Sequence, residues 1–362
     1  MRTLCVSGKY LSQPITGVQR YAEGIVDAWD QGLDEGWIDG SAYAIRVIAP
    51  RTILRQPAFK HIGLERSITD GRTWEQIELP WRARRFLLFS PYAAAPLIKR
   101  HHAVTIHDAA SAASPEQYSV AFRAYCAIVF RVLGFTCNPI FTVSNFSRGE
   151  LRQHFSVPAR KLRVVPPGCD HLVNVSPDSA ILTKAGLPRH RFVLGVSSQS
   201  AVKNFRGLSR AWNILRRSDM KLAIAGKSHG ALFRGGDTAF DEGVVRLGYV
   251  SDSELRCLYE NAALFVYPSF YEGFGIPPVE AMSCGCPVLV SRRPAIQEAC
   301  GDAAAYCDPD DPSDIAKNIA RILDNPQLAE TLRESGRHRA SELTAKRSAK
   351  LLWSELESFI RG

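Results

Sequence analysis

Short apolar runs, separated by amphipathic stretches, make up most of this chain. The runs are rich in Val, Ile, Leu and Phe without clean alternation, which is typical of strands buried on both faces. Strand and helix patterns alternate, which predicts an α/β protein with parallel sheets covered by helices on both faces. The predicted strands are residues 4–8, 44–50, 86–91, 103–108, 139–144 and 162–168 in the first half, and 192–198, 221–226, 244–250, 264–269, 287–291 and 303–308 in the second.

The two series of strands predict two doubly wound domains. A polar, turn-rich segment at 169–190 separates them, so we place the first domain at 1–170 and the second at 171–345. The amphipathic segment 346–362 is predicted to be a terminal helix that crosses back to the first domain. Ligands of open parallel sheets bind beyond the carboxyl ends of the strands, so functional residues should directly follow strands.

Composition narrows the class of protein. The 362 residues are 46% hydrophobic and 22% charged, which is typical of a globular protein, and no apolar run has the ~20 residues of a membrane span. The start of the chain predicts a buried strand and lacks the features of a signal peptide. The nine scattered cysteines have no zinc-like spacing and are expected to be free thiols of a cytoplasmic protein. The net charge of +9 favours an anionic partner: nucleic acid, anionic lipid or sugar nucleotide.

One short stretch carries the candidate chemistry. Residues 271–280 read YEGFGIPPVE and follow a predicted strand directly. The two prolines suit the first turn of a helix, which would place Glu280 in that turn and Glu272 in the loop before it. The loop glycines Gly273 and Gly275 allow a ligand to approach the backbone closely, and their N–H groups can bind an anion or a hydroxyl.

The two glutamates are better hydroxyl acceptors than an acid/base pair. A hydrolytic pair must flank a bond from opposite faces, whereas one loop and one helix start present both acids from the same side. We therefore expect Glu272 and Glu280 to hold one polyhydroxylated ligand. The alternative for Glu280 is an acid placed favourably in the dipole of a helix N-terminus.

Residues 269–291, SFYEGFGIPPVEAMSCGCPVLVS, resemble the signature of retaining glycosyltransferases of the family-4 type, the glycosyl transferases group 1. The resemblance implies the GT-B fold, in which two Rossmann-like domains face each other across a cleft. It also implies an acceptor-binding first domain and a nucleotide-sugar-binding second domain. Further segments resemble the same family: 105–108, 141–151, 164–170, 248–269 and 301–311.

The resemblance assigns roles along the signature. It implies that Glu272 contacts hydroxyls of the donor sugar and that Glu280 holds the nucleotide ribose. The backbone amides of Gly273, Phe274 and Gly275 would approach the sugar and the diphosphate.

A cationic side chain is expected at the diphosphate. The resemblance implies that Lys203 neutralises it, because a leaving nucleoside diphosphate develops negative charge. The position before it, often basic in the family, is Val202 here. We therefore consider Lys227 a second candidate cation, with a solvated loop lysine as the alternative.

Three residues of the first domain complete the predicted site. The resemblance places His107 beside the reacting sugar, although a lone histidine at a strand end can also be a satisfied core residue. Asp108 is expected to cap a helix. The first loop also resembles that of the family, which implies that Gly17 lies near the diphosphate and Arg20 near the acceptor, with a surface helix charge as the alternative for Arg20.

We expect neither a metal nor a cofactor besides the donor substrate. The acidic stretch 308–311 opens a helix, as Asp-Pro turns do, and the resemblance implies a metal-independent enzyme. Basic residues are frequent in the first half, at 81–89, at 99–102 and at Arg123 and Arg131. With Trp81 beside three arginines they predict peripheral association with an anionic inner membrane surface, or alternatively a solvated basic face.

The sequence thus predicts a retaining hexosyltransferase of bacterial surface-polysaccharide biosynthesis. Mannose from GDP-mannose is the first expectation for the donor, and UDP-glucose and dTDP-rhamnose are the alternatives. The acceptor would be a glycan or a lipid-linked oligosaccharide. A non-catalytic protein that binds sugar nucleotides is a second hypothesis, whereas a nucleic-acid binder would rest on charge alone.

Overall fold

A computed structural model describes residues 1–197, 200–226 and 244–361. The chain divides into two compact units, Met1–Gly168 with Thr344–Gly362 and Cys169–Leu343. Each unit is built on one sheet whose paired strands are all parallel. Most of the described connections between successive strands contain a helix, as is usual for parallel pairing, whereas residues 50–62 and 91–101 connect strands without one.

The first unit contains seven strands in the order β3-β2-β1-β4-β5-β6-β7. These are β1 Arg2–Ser7, β2 Tyr43–Ala49, β3 Gly63–Arg66, β4 Leu87–Ser90, β5 His102–Thr105, β6 Ile140–Thr142 and β7 Leu162–Val164. A π-helical turn spans Trp74–Glu78. The helices are α1 Gly17–Asp34, α2 Gly71–Thr73, α3 Leu79–Arg82, α4 Ala110–Ala113, α5 Val120–Thr136 and α6 Asn145–Phe155.

The second unit has a sheet of six described strands in the order β10-β9-β8-β11-β12-β13. These are β8 Phe192–Val196, β9 Lys221–Ala225, β10 Val244–Gly248, β11 Leu264–Tyr267, β12 Val288–Ser291 and β13 Ala305–Cys307. Its helices are α7 Ala180–Ala185, α8 Phe205–Leu215, α9 Asp252–Asn261, α10 Ile276–Ser283, α11 Pro294–Cys300, α12 Pro312–Leu323 and α13 Pro326–Ser341.

Both sheets reverse their winding direction once. The reversal lies between β1 and β4 in the first unit and between β8 and β11 in the second. The prediction of two doubly wound, Rossmann-like sheets is therefore confirmed. Ligands of such sheets bind at this switch point, beyond the carboxyl ends of the two central strands. In the second unit, these are the strands that precede Lys203 and Glu272.

The last helix, α14 Ala345–Arg361, belongs to the first unit. Its buried face places Trp353, Leu352 and Leu356 in the core of that unit. Trp353 lies edge-on to Trp29 of α1 at a centroid distance of 5.8 Å, and the Trp29 indole donates to the Ala349 carbonyl at 3.0 Å. The chain terminus is therefore part of the hydrophobic core of the first unit.

The predicted basic stretch 99–102 is wrong in part, because two of its side chains are buried. Lys99 is 6% exposed, and its ammonium donates to the Phe86 carbonyl at 3.1 Å and to the His101 carbonyl at 3.2 Å. His102 lies between the Ser90 hydroxyl, at 3.0 Å, and the Cys137 thiol, at 3.3 Å. Burial, with a smaller effect of the Lys99 charge, lowers the pKa of His102 to about 3. His102 is therefore a neutral core residue.

All nine cysteines are free, as the sequence predicted, and all except Cys284 are buried. Burial raises the pKa of Cys5 and of Cys284 to about 11. Such thiols stay protonated at neutral pH and react slowly.

Candidate active site in the second unit

Lys203 lies in the connection that follows β8. A 3-10 turn, Ala201–Lys203, carries it, and Asn204 at φ +56° then begins α8. The Asn204 side chain accepts from Gly207 N at 3.1 Å and donates to the Pro309 carbonyl at 2.7 Å. These two hydrogen bonds hold Asn204 in place and thereby fix the start of α8 next to Lys203.

Glu272 lies in the loop that follows β11, next to Lys203. Its Oε1 atom is 2.6 Å from the Lys203 ammonium, 2.6 Å from the Tyr267 hydroxyl and 2.7 Å from the Ser269 hydroxyl. Phe270 N donates to the Val202 carbonyl at 2.7 Å and joins the two loops. All these contacts of Glu272 fall on Oε1, and within the described residues Oε2 has no hydrogen-bond partner.

The charges of this cluster are well defined. The side chains of Lys203 and Glu272 are only 19% and 11% exposed. Burial alone would lower the pKa of Lys203, but the charges and hydrogen bonds of Glu272 and Tyr267 together outweigh burial and raise that pKa above its ordinary value. Burial, and then Glu272, raise the pKa of Tyr267, so its hydroxyl stays a donor. The cluster is therefore a fixed ammonium–carboxylate pair supported by two hydroxyls.

Sequence reasoning singled out Lys203 and Glu272 but gave them different ligand groups. The structure brings them into one ion pair and adds Tyr267 and Ser269, which the sequence analysis missed. One signal was available: Tyr267 and Ser269 lie at the end of the predicted strand 264–269, where side chains reach the switch point.

The loop before α10 has the predicted glycine geometry. Gly275, at φ +114°, precedes Ile276 as the N-cap of α10, a conformation that L side chains rarely adopt. Gly273 is buried, and Phe274 is 5% exposed, which anchors the loop in the interior. The backbone path between the two glutamates is therefore fixed by a glycine and a buried aromatic ring.

Glu280 lies in the second turn of α10, so its prediction for the first turn was wrong. The helix begins at Ile276, before the prolines, because Gly275 already turns the chain into it. Glu280 is 6% exposed. Its Oε2 accepts from the Tyr259 hydroxyl at 3.3 Å, and its Oε1 lies 3.6 Å from His171 Nε2. The sequence analysis did not identify Tyr259 or His171.

His107 is one of the predicted site residues that belong to the first unit. His107 is half-buried, two residues beyond the end of β5, because the strand ends at Thr105 rather than at the predicted 108. Its Nε2 is 3.2 Å from the Pro91 carbonyl, and its ring meets Tyr21 edge-on at 4.8 Å. Burial lowers the pKa of His107 to about 4, so the imidazole is neutral at pH 7.

Gly17 and Arg20 lie in the first turn of α1. The turn is closed by a capping box in which Gln19 Oε1 accepts from Thr16 N at 3.2 Å. The N-cap of α4 is Ala109 rather than the predicted Asp108, whose side chain accepts from Ala110 N at 2.9 Å and holds the turn before the helix. Lys227 lies outside the described residues.

The acidic stretch at 308–311 is engaged at the start of α12. Asp311 is its N-cap and accepts from Ser313 N, and Asp310 pairs with Arg293 at 2.6 Å. Among the residues that the structure describes, no group of three or more His, Cys, Asp or Glu side chains is arranged to hold a metal ion.

Residues 183–339, which contain Lys203, Glu272 and Glu280, match the family model "Glycosyl transferases group 1". The chain is 35% identical over 215 residues to the O-antigen chain mannosyltransferase B of Escherichia coli, covering 57% of this chain and 56% of the relative. It is 30% identical over 217 residues to the MMP alpha-(1->4)-mannosyltransferase of Mycolicibacterium hassiacum, covering 56% and 50%. The chain thus spans about half the length of these curated relatives.

The fold also resembles solved structures. The Anabaena protein HepE, crystallised with UDP and glucose, superposes with a TM-score of 0.73 at 16% identity, covering 99% of this chain and 100% of HepE. At that identity the likeness establishes the fold alone. The chain therefore has a GT-B fold of two Rossmann-like units, and its residues 183–339 match the glycosyl transferases group 1.

Proposed function

We propose that this protein is a retaining glycosyltransferase that moves a hexose from a nucleoside diphosphate sugar to a glycan or a lipid-linked glycan. The observation that carries the proposal is the buried Lys203–Glu272 pair at the switch point of the second sheet, with an N–O distance of 2.6 Å. It lies within the segment that matches the glycosyl transferases group 1. A cation and a hydroxyl acceptor side by side suit a ligand that joins a diphosphate to a sugar.

Each predicted side chain has a role in this proposal. Glu272 is held through Oε1, which leaves Oε2 to accept sugar hydroxyls. Lys203 faces the diphosphate, and the amides around Gly273 and Gly275 approach it. Glu280 binds the ribose.

In the first unit, we assign His107 to positioning the sugar, Gly17 to the diphosphate loop and Arg20 to the acceptor. Lys227 stays a candidate second cation.

The proposed reaction proceeds on one face of the sugar. The bond between C1 and the β-phosphate oxygen breaks, and its electron pair leaves with the diphosphate, which Lys203 stabilises electrostatically. The acceptor oxygen then bonds to C1 from the same side, and its proton passes to the β-phosphate oxygen. No covalent sugar–protein bond forms, so trapping of a glycosyl adduct on the chain would contradict this route.

Mannose from GDP-mannose is the donor that we propose first. The names of the two curated relatives support mannose, and that of the Escherichia coli relative supports polysaccharide assembly. UDP-glucose and dTDP-rhamnose are alternatives, since HepE was crystallised with UDP and glucose. We also propose that transfer needs no divalent metal, because Lys203 supplies a cation, and EDTA should therefore leave the rate unchanged.

The first prediction concerns the donor. In a thermal-shift panel of GDP, UDP, dTDP and their sugars, we expect GDP-mannose to raise the unfolding midpoint most, because a ligand of the native state stabilises it by mass action. Glu272→Gln should reduce the extra shift of the sugar nucleotide over bare GDP. If another sugar nucleotide raises the unfolding midpoint most, that nucleotide is the donor, and the proposal of a glycosyltransferase is kept. Binding without transfer or hydrolysis would favour a non-catalytic protein, and binding of none would contradict the proposal.

We further propose that the first unit associates with an anionic membrane surface. No helix of the described residues is long and apolar enough to cross a membrane. Apolar side chains are nevertheless exposed on α5 and α3, with Phe135 85% and Trp81 60% exposed. The Arg84 guanidinium covers the Trp81 ring at 4.7 Å, and the Arg72 guanidinium covers Tyr125 of α5 at the same distance. Exposed rings combined with arginines suit an anionic interface.

The second prediction tests this surface with the full chain. It should sediment with vesicles containing phosphatidylglycerol and not with pure phosphatidylcholine. The double variant Trp81→Ala/Arg84→Ala should lower the vesicle partition coefficient at least about fivefold, because each arginine near such a surface contributes about 1 kcal/mol. Ile214→Ala, at an apolar side chain of the second unit that is 52% exposed, is the matched control. Equal binding to both vesicles would overturn the proposal.

A further inference from the structure

A cavity of about 420 Å³ lies within the first unit, outside the residues assigned to the donor. It opens between α1 and residues 55–60, which follow β2, and the loop after β1 closes one end. Four acids of α1 line it at spacings of three or four residues, which places them on one face of the helix: Glu23, Asp27, Asp30 and Asp34.

Three of these acids are already engaged. Glu23 accepts from Arg55 Nε at 2.7 Å. Asp30 accepts three backbone N–H groups of residues 60–62, each at 2.8 Å. Asp34 pairs with His61 at 3.1 Å and with Lys60 at 3.7 Å. These contacts fix the loop against α1 and shape the wall of the cavity.

Asp27 is the exception among the four. Within the described residues it makes no hydrogen bond or ion pair, and it lies at the exposed rim of the cavity. Desolvation of its carboxylate, and then the charges of Glu23 and Asp30, raise the pKa of Asp27 to about 6. It is ionised at neutral pH and able to accept hydrogen bonds.

A second, independent feature of the cavity is Tyr10. It is 1% exposed, and among the residues that the structure describes its hydroxyl has no hydrogen-bond partner. Tyr10 lines the cavity together with Asp27 and Glu23. An orphaned buried hydroxyl destabilises the folded protein, and a bound hydroxyl would relieve this cost.

The chemistry of the wall selects the ligand class. Carboxylates disfavour an anion. Arg55 and Lys60 pair with Glu23 and Asp34, and backbone N–H groups satisfy Asp30, so the wall, as far as the structure describes it, offers a single unpaired carboxylate rather than a cluster that would hold a cation. What is left is a carboxylate, a phenolic hydroxyl and an aromatic ring, Phe59, which together suit a ring with several hydroxyls and an apolar face.

We propose that this cavity binds one neutral hexose unit of a saccharide. Asp27 accepts hydrogen bonds from its ring hydroxyls, the Tyr10 hydroxyl pairs with another, and Phe59 packs against its apolar face. The identification of this saccharide with the acceptor glycan rests on the proposed function, whereas the binding site does not.

The test is calorimetric titration of the full chain with mannotriose, maltotriose and chitotriose. At least one should bind, and Tyr10→Phe should weaken its binding about 3- to 10-fold, since a neutral hydrogen bond is lost. Asp27→Asn should weaken it about 10-fold or more, because the acceptor loses its charge. Tyr43→Phe is the matched control, since the Tyr43 hydroxyl donates to Glu357 at 2.8 Å and does not line the cavity.

Folding and donor binding are measured on the same variants. Tyr10→Phe removes an unpaired hydroxyl, so its unfolding midpoint should be no lower than that of the wild type. Nucleoside diphosphate binding should be unchanged in both cavity variants, which separates this inference from the proposed function. It is overturned if no trisaccharide binds, if the variants bind as well as the wild type, or if spermidine displaces the sugar.

Discussion

Replacing Lys203 by methionine is expected to lower the rate of sugar transfer by about 100- to 1,000-fold, the range found when one fixed electrostatic contact to a developing anion is removed. Lys203 is held at the switch point and kept charged by Glu272. Methionine conserves much of the side-chain volume but leaves the departing diphosphate without this cation. The measurement is single-turnover transfer from GDP-mannose, or from whichever donor the binding panel selects.

Stability needs its own control, because the same substitution leaves Glu272 buried without its partner. We expect Lys203→Met to lower the free energy of unfolding by about 3 kcal/mol for this reason. The double variant Lys203→Met/Glu272→Gln removes the uncompensated charge and should recover most of that loss, while transfer stays slow. Lys221→Met, whose ammonium donates to the Gly186 carbonyl at 2.8 Å, controls for the loss of a lysine in the same unit. A stable Lys203→Met that transfers within about fivefold of the wild-type rate would refute the electrostatic role.

The pairing of Lys203 with Glu272 shows that sequence patterns predict the position of a residue in the fold but not its contacts with distant residues. Both residues follow predicted strands, so their position at the carboxyl edge of the sheet was predictable. Their contact was not, because 69 residues separate them and only the strand order brings β8 beside β11. The pattern of apolar runs identifies strands but does not fix their order.

Burial of polar groups was the second limit. The sequence KRHH at 99–102 has the pattern of a charged surface turn, yet Lys99 and His102 are buried. Burial is possible because a backbone carbonyl accepts from Lys99 and a serine hydroxyl pairs with His102. Strand β3 was missed for the opposite reason: GLER, at the sheet edge, has no buried residue and thus no apolar run. Tyr10 is a further buried polar group of this kind, since nothing in its neighbours along the chain indicates that its hydroxyl lacks a partner within the described part of the protein.

Glu280→Gln is the second prediction of large effect. A carboxylate that accepts hydrogen bonds from ribose hydroxyls should contribute about 1.5–3 kcal/mol, so the substitution should raise the Kd of the nucleoside diphosphate about 10- to 100-fold. The carboxylate is positioned by α10, with Tyr259 at 3.3 Å and His171 at 3.6 Å. The measurement is calorimetric titration with the nucleoside diphosphate that the panel selects.

A purely structural role for Glu280 would also weaken binding, so a second ligand must separate the two explanations. The wild type should bind the 2′,3′-dideoxy nucleotide much more weakly than the ribonucleotide, because the buried carboxylate then lacks its hydroxyl donors. In Glu280→Gln this difference should shrink by at least about tenfold, since the neutral amide discriminates less. Tyr259→Phe removes the hydroxyl that donates to Oε2 and leaves the carboxylate in place, so it should keep the difference. If Glu280→Gln also keeps it, Glu280 supports α10 and does not bind the ribose.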